Sequence, residues 1–469
     1  MAFGTRGLLV MGAMFFGENV AFAQDAFEDF SDLDDLDAEL SGLESGGGES
    51  SRGPSLEKFS GFIAEEIRVY PVERGLGQND QQLLTESQLE FDLRIIGGLS
   101  LEVTPWFLID ALDTELLRYE PLEAYLIYRA ENWDILAGQF IESWGIADTY
   151  NPLDGLNRRD LGVDIFGAPV RGEFGARVRW TLPSGKVLGE PTFGIYTIPV
   201  WRKTDFPTED QRFSFSTPGS VLLTDETSGP AGVDRILNAF RFDSTLSTNV
   251  VSADVQVLAS RGPERTPLIG VVPQADGRLG FVPQYYGLWT MGGGFRAVPE
   301  FDGWSKFTLK GEVAYKRSYV FSDFTGPGQV DLTVKPEDYV QFVGGVDRSF
   351  VNLFIEQDEL TLTLEYAGEA GADDAATLFR PFNADLALRA HWSAGDFARS
   401  SLEMRGIIDV KNGEIIAEGV AARQLRFIHD DLKLQISGRY LRSSEQDGSV
   451  LSFFPTNNSS LSGRLQFDF

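Results

Sequence analysis

The chain has no cysteine and only 2 histidines in 469 residues. Lack of cysteine excludes a disulfide framework and any thiolate metal site. His391 and His429 alone leave little room for imidazole chemistry and read as structural. Positive charge is scarce as well. The 40 Lys and Arg stand against 70 Asp and Glu, and a formal net charge of -30 would repel a nucleic acid. No Walker loop, EF-hand loop, HExxH or G-x-S-x-G elbow is present, so no enzyme activity and no cofactor is expected. Beyond the first two dozen positions there is no run of about 18 apolar residues, which excludes crossing a membrane with helices.

What is there begins with an export signal. Arg6 is the basic n-region, Leu8–Phe16 a short apolar core, and Ala21-Phe22-Ala23 a small-x-small cleavage pattern, so residues 1–23 are expected to be removed. No Cys follows the site to carry a lipid. Residues 24–58 then form an acidic arm and linker, with ten acidic residues in Gln24–Pro54 and no basic one before Arg52. Phe27, Phe30, Leu33, Leu36, Leu40 and Leu43 recur at spacings of three or four, which would gather them on one helix face. Gly46-Gly47-Gly48 and the residues after it read as a flexible linker. Three readings stay open for the arm. It is a disordered charged tail, a helix that docks on a periplasmic partner or in the mouth of the main domain, or a coiled coil, which ten like charges disfavour.

From residue 59 onward, segment after segment alternates apolar and polar residues. Leu89, Phe91, Leu93 and Ile95 alternate with Glu90, Asp92 and Arg94; Phe174, Val178 and Trp180 with Glu173, Arg177 and Arg179; Leu309, Val313 and Tyr315 with Lys306, Lys310 and Glu312. A period of two separates the faces of a β-strand. The segments run to about 9–11 residues, the length of a tilted membrane crossing, where sandwich strands average about 5 or 6.

Strands are expected near 60–70, 86–96, 99–109, 118–129, 133–142, 172–182, 191–202, 237–247, 249–261, 283–297, 304–320, 337–350, 359–367, 382–392, 397–410, 414–426, 430–442 and 458–469. Short connections such as Gly97-Gly98 alternate with long ones at 71–85, 143–171, 203–236, 262–282 and 321–336, and Lys411-Asn412-Gly413 breaks the rhythm as a tight turn on the long side. Seven of the 8 tryptophans, at 106, 133, 144, 180, 201, 304 and 392, fall near strand ends, as in an aromatic girdle, and Trp289 falls mid-strand. The expected fold is therefore all-β, a transmembrane antiparallel barrel of about 18 strands over 59–469, with 16 the alternative. Such a barrel would lie in the outer membrane, against its lipid, with the N-terminal arm in the periplasm. A TonB-linked transporter would need a plug that the arm is too short to supply.

Two segments carry resemblances. The closing Leu461–Phe469 alternates onto a terminal Phe and looks like the targeting signal read by the outer-membrane barrel assembly machinery, which Phe469 would engage as a partner. The other segment is Gly138-Gln139 … Trp144-Gly145 … Asn151-Pro152-Leu153-Asp154 … Arg158-Arg159-Asp160. It resembles the G-R-Q…W-G…N-P-x-D…R signature of an uncharacterised proteobacterial outer-membrane barrel family, without that family's intervening Arg. Alginate-export-type porins carry a related pattern. The resemblance implies passage of hydrophobic or lipid-like cargo and an exporter of the resistance-nodulation-division type as a partner, met through the arm.

The signature lies in the third long connection. Folded inward, it would place Trp144, Asp148, Asn151, Asp154, Arg158, Arg159 and Asp160 at a pore constriction, where charge and diameter set selectivity. Alternatively these residues only clamp the loop by salt bridges and turns, with Trp144 in the girdle. Arg94, Arg177, Arg179, Lys306 and Lys310 are expected to face the lumen. The sequence thus favours a porin-like channel for small solutes or hydrophobic cargo. The alternative is a non-transporting structural or surface-binding barrel.

Overall fold

The structure, a computed structural model, describes residues 54–71, 79–113, 116–164, 167–208, 211–214, 220–222, 229–274, 276–301, 303–319, 324–325, 337–371, 384–442 and 459–469. The signal segment and nearly all of the acidic arm lie outside these residues.

One sheet of 18 strands closes on itself. Its first six strands are β1 (Ser55–Val69), β2 (Gln81–Ile96), β3 (Leu99–Asp110), β4 (Leu117–Arg129), β5 (Trp133–Phe140) and β6 (Glu173–Thr181). Next come β7 (Leu188–Ile198), β8 (Leu237–Ser247), β9 (Val251–Pro263), β10 (Gly287–Pro299), β11 (Phe307–Tyr319) and β12 (Asp338–Val351). The last six are β13 (Glu359–Ala370), β14 (Ala384–Ser393), β15 (Ser401–Asp409), β16 (Ile415–Gln424), β17 (Leu432–Arg442) and β18 (Ser460–Asp468). Each strand pairs antiparallel with the next, and β1 closes the ring on β18 from Phe62↔Asp468 to Val69↔Leu461. Closure pairs the first strand with the last, which is what a bilayer demands of a β-structure.

Burial inverts the pattern of a water-soluble protein. On β6, Phe174, Val178 and Trp180 are exposed, while Glu173 and Arg177 on the other face are buried. On β11, Val313 and Tyr315 are exposed and Lys310, Glu312 and Lys316 are buried. On β15, Leu402 and Met404 face out and Glu403 faces in. An apolar exterior over a charged interior is stable only where lipid surrounds the barrel. Mature protein should accordingly need detergent and migrate as a compact band on unheated gels, shifting on boiling. A species that stays monodisperse in plain buffer would contradict this architecture.

The count settles on 18 rather than 16. The first strand starts at Ser55, so residues 55–58 belong to the wall rather than the arm. Lys306 lies in the turn before β11, not on a strand facing the lumen as expected. The long connection 262–282 is not featureless: Leu268–Pro273 and Leu279–Gln284 form a hairpin, and Ser220–Leu222 joins it in parallel. At Lys411-Asn412-Gly413 the expected tight turn is present, with Asp409 Oδ1 accepting the amides of Lys411 and Asn412 at 2.7 and 2.8 Å.

The tryptophans divide by side. Trp133 and Trp180 pair across β5 and β6 at the short-turn end, and both are exposed. Trp304 is exposed at the same end, and Trp289 is the third residue of β10 rather than mid-strand. Trp106 and Trp144 are buried inside the barrel, so neither is a girdle residue. Trp201 lies beyond β7 and packs edge-on against Tyr285, with ring centroids 4.8 Å apart.

Candidate pore-constricting loop

The connection between β5 and β6 leaves the wall after Phe140 and re-enters it at Glu173. Gly138 prepares the exit. Its φ of 143° suits glycine, and a Cβ there would lie 2.4 Å from the Ala124 carbonyl oxygen. Glu142 then fixes the neck of the loop. Its carboxylate takes Arg177 at 2.7 Å from β6, the Tyr196 hydroxyl at 3.1 Å from β7 and Arg241 at 3.2 Å from β8. Asn157 closes the neck by donating to the Glu142 carbonyl at 2.8 Å.

From the neck, residues 144–150 run past the inward side chains of successive strands. Trp144 is buried edge-on against Tyr196 of β7, with centroids 5.4 Å apart. The Gly145 amide donates to Gln256 of β9 at 3.0 Å. Ile146 and Ala147 both donate to Glu312 of β11, Ala147 at 2.9 Å. Asp148 and Thr149 donate to the two oxygens of Glu365 on β13, each at 2.9 Å. Tyr150 gives its hydroxyl to Gln341 of β12 at 2.8 Å. Five consecutive backbone amides are thus captured by wall side chains, and the last captor sits eight strands round the ring from β5. Asp148 adds ion pairs to Lys310 and, at 3.5 Å, to Arg296. Lys310 also reaches Asp347 at 2.8 Å and Glu365 at 3.1 Å.

At the tip the signature residues are structural partners of one another. Gly145 has φ 109°, and a Cβ on it would meet the Asn151 side chain at 2.7 Å. Asn151 accepts the Asp154 amide at 3.1 Å, a turn that Pro152 favours, and Asp154 faces Arg159 at 3.6 Å. Burial raises the Asp154 carboxyl above its ordinary range, and Arg159 only partly offsets it.

A second lobe, residues 158–171, turns to the opposite wall. Arg158 is buried between Asp205 and Glu120, the latter at 3.1 Å. Asp160 is fully buried and held by Arg118 at 2.6 Å from β4 and by Arg171 at 2.6 Å, whose guanidinium lies 4.0 Å over the Trp106 ring. Burial alone would raise the Asp160 carboxyl, but the hydrogen bonds and charge of Arg118 and Arg171 outweigh it and hold the group below its usual range. For Asp205 burial wins, and its carboxyl is raised despite Arg158. Asp164 accepts from Arg439 of β17 at 2.8 and 2.9 Å and lies 3.8 Å from Arg68 of β1. Beneath this lobe a cavity of about 290 Å³ is lined by Lys58, Glu90, Asp92, Glu102, Trp106 and Glu123.

Among the remaining sequence candidates, Arg177 and Arg179 both engage Asp134, at 3.1 and 2.9 Å, and Arg94 pairs with Glu57. Of the clustered seven, Arg159 keeps the most exposed side chain, at 44%. His391 lies 3.2 Å from Glu403, which Arg389 and Arg405 also contact, and His429 accepts the Asp431 amide at 3.2 Å. Sequence reasoning missed Glu312 and Glu365 as captors, and it missed Glu142, Gln256, Arg118 and Asp164 as anchors. For Gln256, Glu312, Glu365 and Arg118 the one visible signal was a polar side chain on the inward parity of a long strand, whereas Glu142 and Asp164 stand in the loop itself and carried none.

No family model and no curated protein matches the chain. Among solved structures, OccD3 of Pseudomonas aeruginosa is 10% identical, with 90% of this chain and 93% of that one covered and a TM-score of 0.43. A BenF-like porin from Pseudomonas fluorescens is 9% identical, with 90% and 98% covered and a TM-score of 0.49. Wzi of Escherichia coli, described as a carbohydrate-binding β-barrel of capsule assembly, is 12% identical, with 88% and 84% covered and a TM-score of 0.46. At such identities nothing about cargo transfers from those proteins to this chain, and the signature remains a resemblance of sequence pattern.

Proposed function

We propose that the protein is a porin-like channel of the bacterial outer membrane, and that residues 141–172 fold into its lumen as the constriction. The observation that carries this reading is the capture of the amides of residues 145–149 by Gln256, Glu312 and Glu365, inward-facing side chains of β9, β11 and β13. A loop resting on the outer rim would have no access to carboxylates midway along those strands. The two sequence readings of the loop then merge, since the salt bridges that clamp it are the ones that hold it across the pore. The short-turn end is periplasmic and the long connections are external, as in barrels of this type.

Single-channel recording on the refolded protein tests the proposal. An ohmic pore whose conductance rises when residues 146–153 are replaced by a short Gly-Ser link supports it. A silent barrel, or a conductance that ignores the loop, favours a structural or surface-binding role. Selectivity gives a second readout. Replacing Arg158 and Arg159 by Ala is expected to shift the reversal potential in a salt gradient toward cations, with most of the change coming from the exposed Arg159. Arg278→Ala, in the external hairpin turn beside Asp276, should leave the reversal potential near wild type.

A further inference from the structure

The outer wall carries a polar row at the long-connection end of β8, β9, β10 and β11. Ladder pairing sets Asn238 of β8 opposite Arg261 of β9, Arg261 opposite Trp289 of β10, and Trp289 opposite Arg317 of β11. Residues directly opposite on paired strands point to the same face. That face is the outside, because the exposed Val257 and Val313 share the parity of Arg261 and Arg317 on their strands. The arginine side chains are themselves 49% and 62% exposed.

Guanidiniums on a lipid-facing wall need a strong acceptor, and the nearby carboxylates supply little of one. Arg317 Nε lies 3.5 Å from Asp338 of β12, and Arg261 Nη2 lies 4.0 Å from Asp234. Charge-assisted hydrogen bonds close to about 2.7–2.9 Å, so both pairs are loose. Aromatic rings position the row instead. Arg261 lies 5.4 Å from the Trp289 ring and 5.2 Å from that of Tyr319. Tyr319 lies across Gly287, where a Cβ would collide with its ring.

Below the row the same face turns apolar. Val257 of β9, Met291 and Phe295 of β10 and Val313 of β11 are all exposed. Acyl chains hanging from a headgroup on the row would lie along these side chains. A soluble anion would gain nothing from them.

We propose that the row is a binding site for a lipid of the leaflet at that end, recognised by a phosphate in its headgroup. Neighbouring strands lie about 4.8 Å apart, so the two arginines flank Trp289 with about 10 Å between their backbones. Each guanidinium offers N–H donors in a planar fork, the geometry that suits phosphate oxygens. Arg261 and Arg317 hold the phosphate, Asn238 and the Trp289 indole N–H donate to ester or hydroxyl oxygens beside it, and the acyl chains follow the wall. In the orientation proposed above this leaflet is the external one. The site is on the outside of the barrel and stands whether or not the pore conducts.

Native mass spectrometry of the refolded full-length protein, released from detergent with added dioleoyl phosphatidylglycerol, tests the site. Wild type is expected to keep one lipid at activation energies that strip the others. Arg261→Gln with Arg317→Gln should lower the retained fraction about ten-fold, and the corresponding Lys pair should lower it less. Arg442→Gln, which removes an exposed cation from the same end of β17, is the control and should match wild type. The heat-modifiable band should persist throughout, since the ladders run through the backbone. If the Gln pair loses that band, Arg317→Gln alone should still cost about three-fold. Dioleoyl glycerol, with the same chains and no phosphate, should not be retained, and inorganic phosphate should not displace the bound lipid. Full retention in the folded Gln variants or retention of dioleoyl glycerol would overturn the proposal in favour of apolar contact alone. Displacement by inorganic phosphate would overturn it in favour of a site for free anions.

Discussion

Replacing both Glu312 and Glu365 by Ala should raise single-channel conductance about two-fold or more while leaving the barrel folded. Each carboxylate accepts two consecutive amides of the loop. Hydrogen bonds to a charged group contribute about 1.5–3 kcal/mol each, so the four together hold the first lobe by something on the order of 6 kcal/mol. Alanine removes the acceptors and strands the amides, and the lobe then gains more from water than from its place against the wall. The strands lose little, since both residues point inward and their ladders run through the backbone. Lys310 keeps Asp347 of β12 at 2.8 Å when Glu365 is gone and Asp148 has left with the loop, so its charge is not left alone. Glu312→Gln is the control. Both of its amides reach the same oxygen, which the side-chain amide keeps, so conductance should stay close to wild type. Planar-bilayer recording of the Ala pair and of this variant, with gel mobility before and after heating, decides the matter. Wild-type conductance in the Ala pair would mean that the carboxylates do not hold the loop in the pore.

The wall of this protein was legible and its interior much less so, for a physical reason. Strand identity follows from a period of two, which each segment carries within about ten residues of itself. That is why Phe174, Val178 and Trp180 could be assigned to one face and Arg177 to the other without knowing their neighbours. Strand ends were less certain, because a charged residue at the rim tolerates either turn or strand, and Lys306 fell on the wrong side of that border. The loop is a different case. Gly138, Gly145 and Asn151 stood out by pattern, and their job proved to be the local geometry of exit and tip. What holds the loop lies far along the chain, Glu365 being 217 residues from Asp148. Inward parity shows that such a carboxylate faces the lumen, but only the closed ring brings it to an amide on the opposite side. The same distance hid the partnership of Asp164 with Arg439, 275 residues apart.

The second lobe should fail in acid, and in a way that a single substitution abolishes. Asp160 is fully buried between Arg118 and Arg171, with its carboxyl held below the ordinary value of about 3.9. A depressed carboxyl contributes stability that is present above its unfolded value and is lost as pH falls through its folded one. Asp154 and Asp205 act with the opposite sign. Their carboxyls are raised by burial, so they bind protons first on acidification, and that step favours the docked loop. No loosening from these three groups is therefore expected between neutrality and about pH 4, and loosening should set in below it. Asp160→Asn removes the charge from between two buried guanidiniums, a loss of about 3–5 kcal/mol in comparable buried pairs. In that variant the lobe should already be loose at pH 7, with trypsin cutting after Arg158 and Arg159 in detergent while the barrel core resists. The acid step in protease sensitivity should vanish with it. Wild-type protein should resist cleavage at those sites at pH 7, and the acid arm is read by hydrogen exchange of residues 158–164. If the variant resists trypsin as wild type does, the arginine pair on Asp160 is incidental and the lobe is held by Asp164 and Arg439 instead.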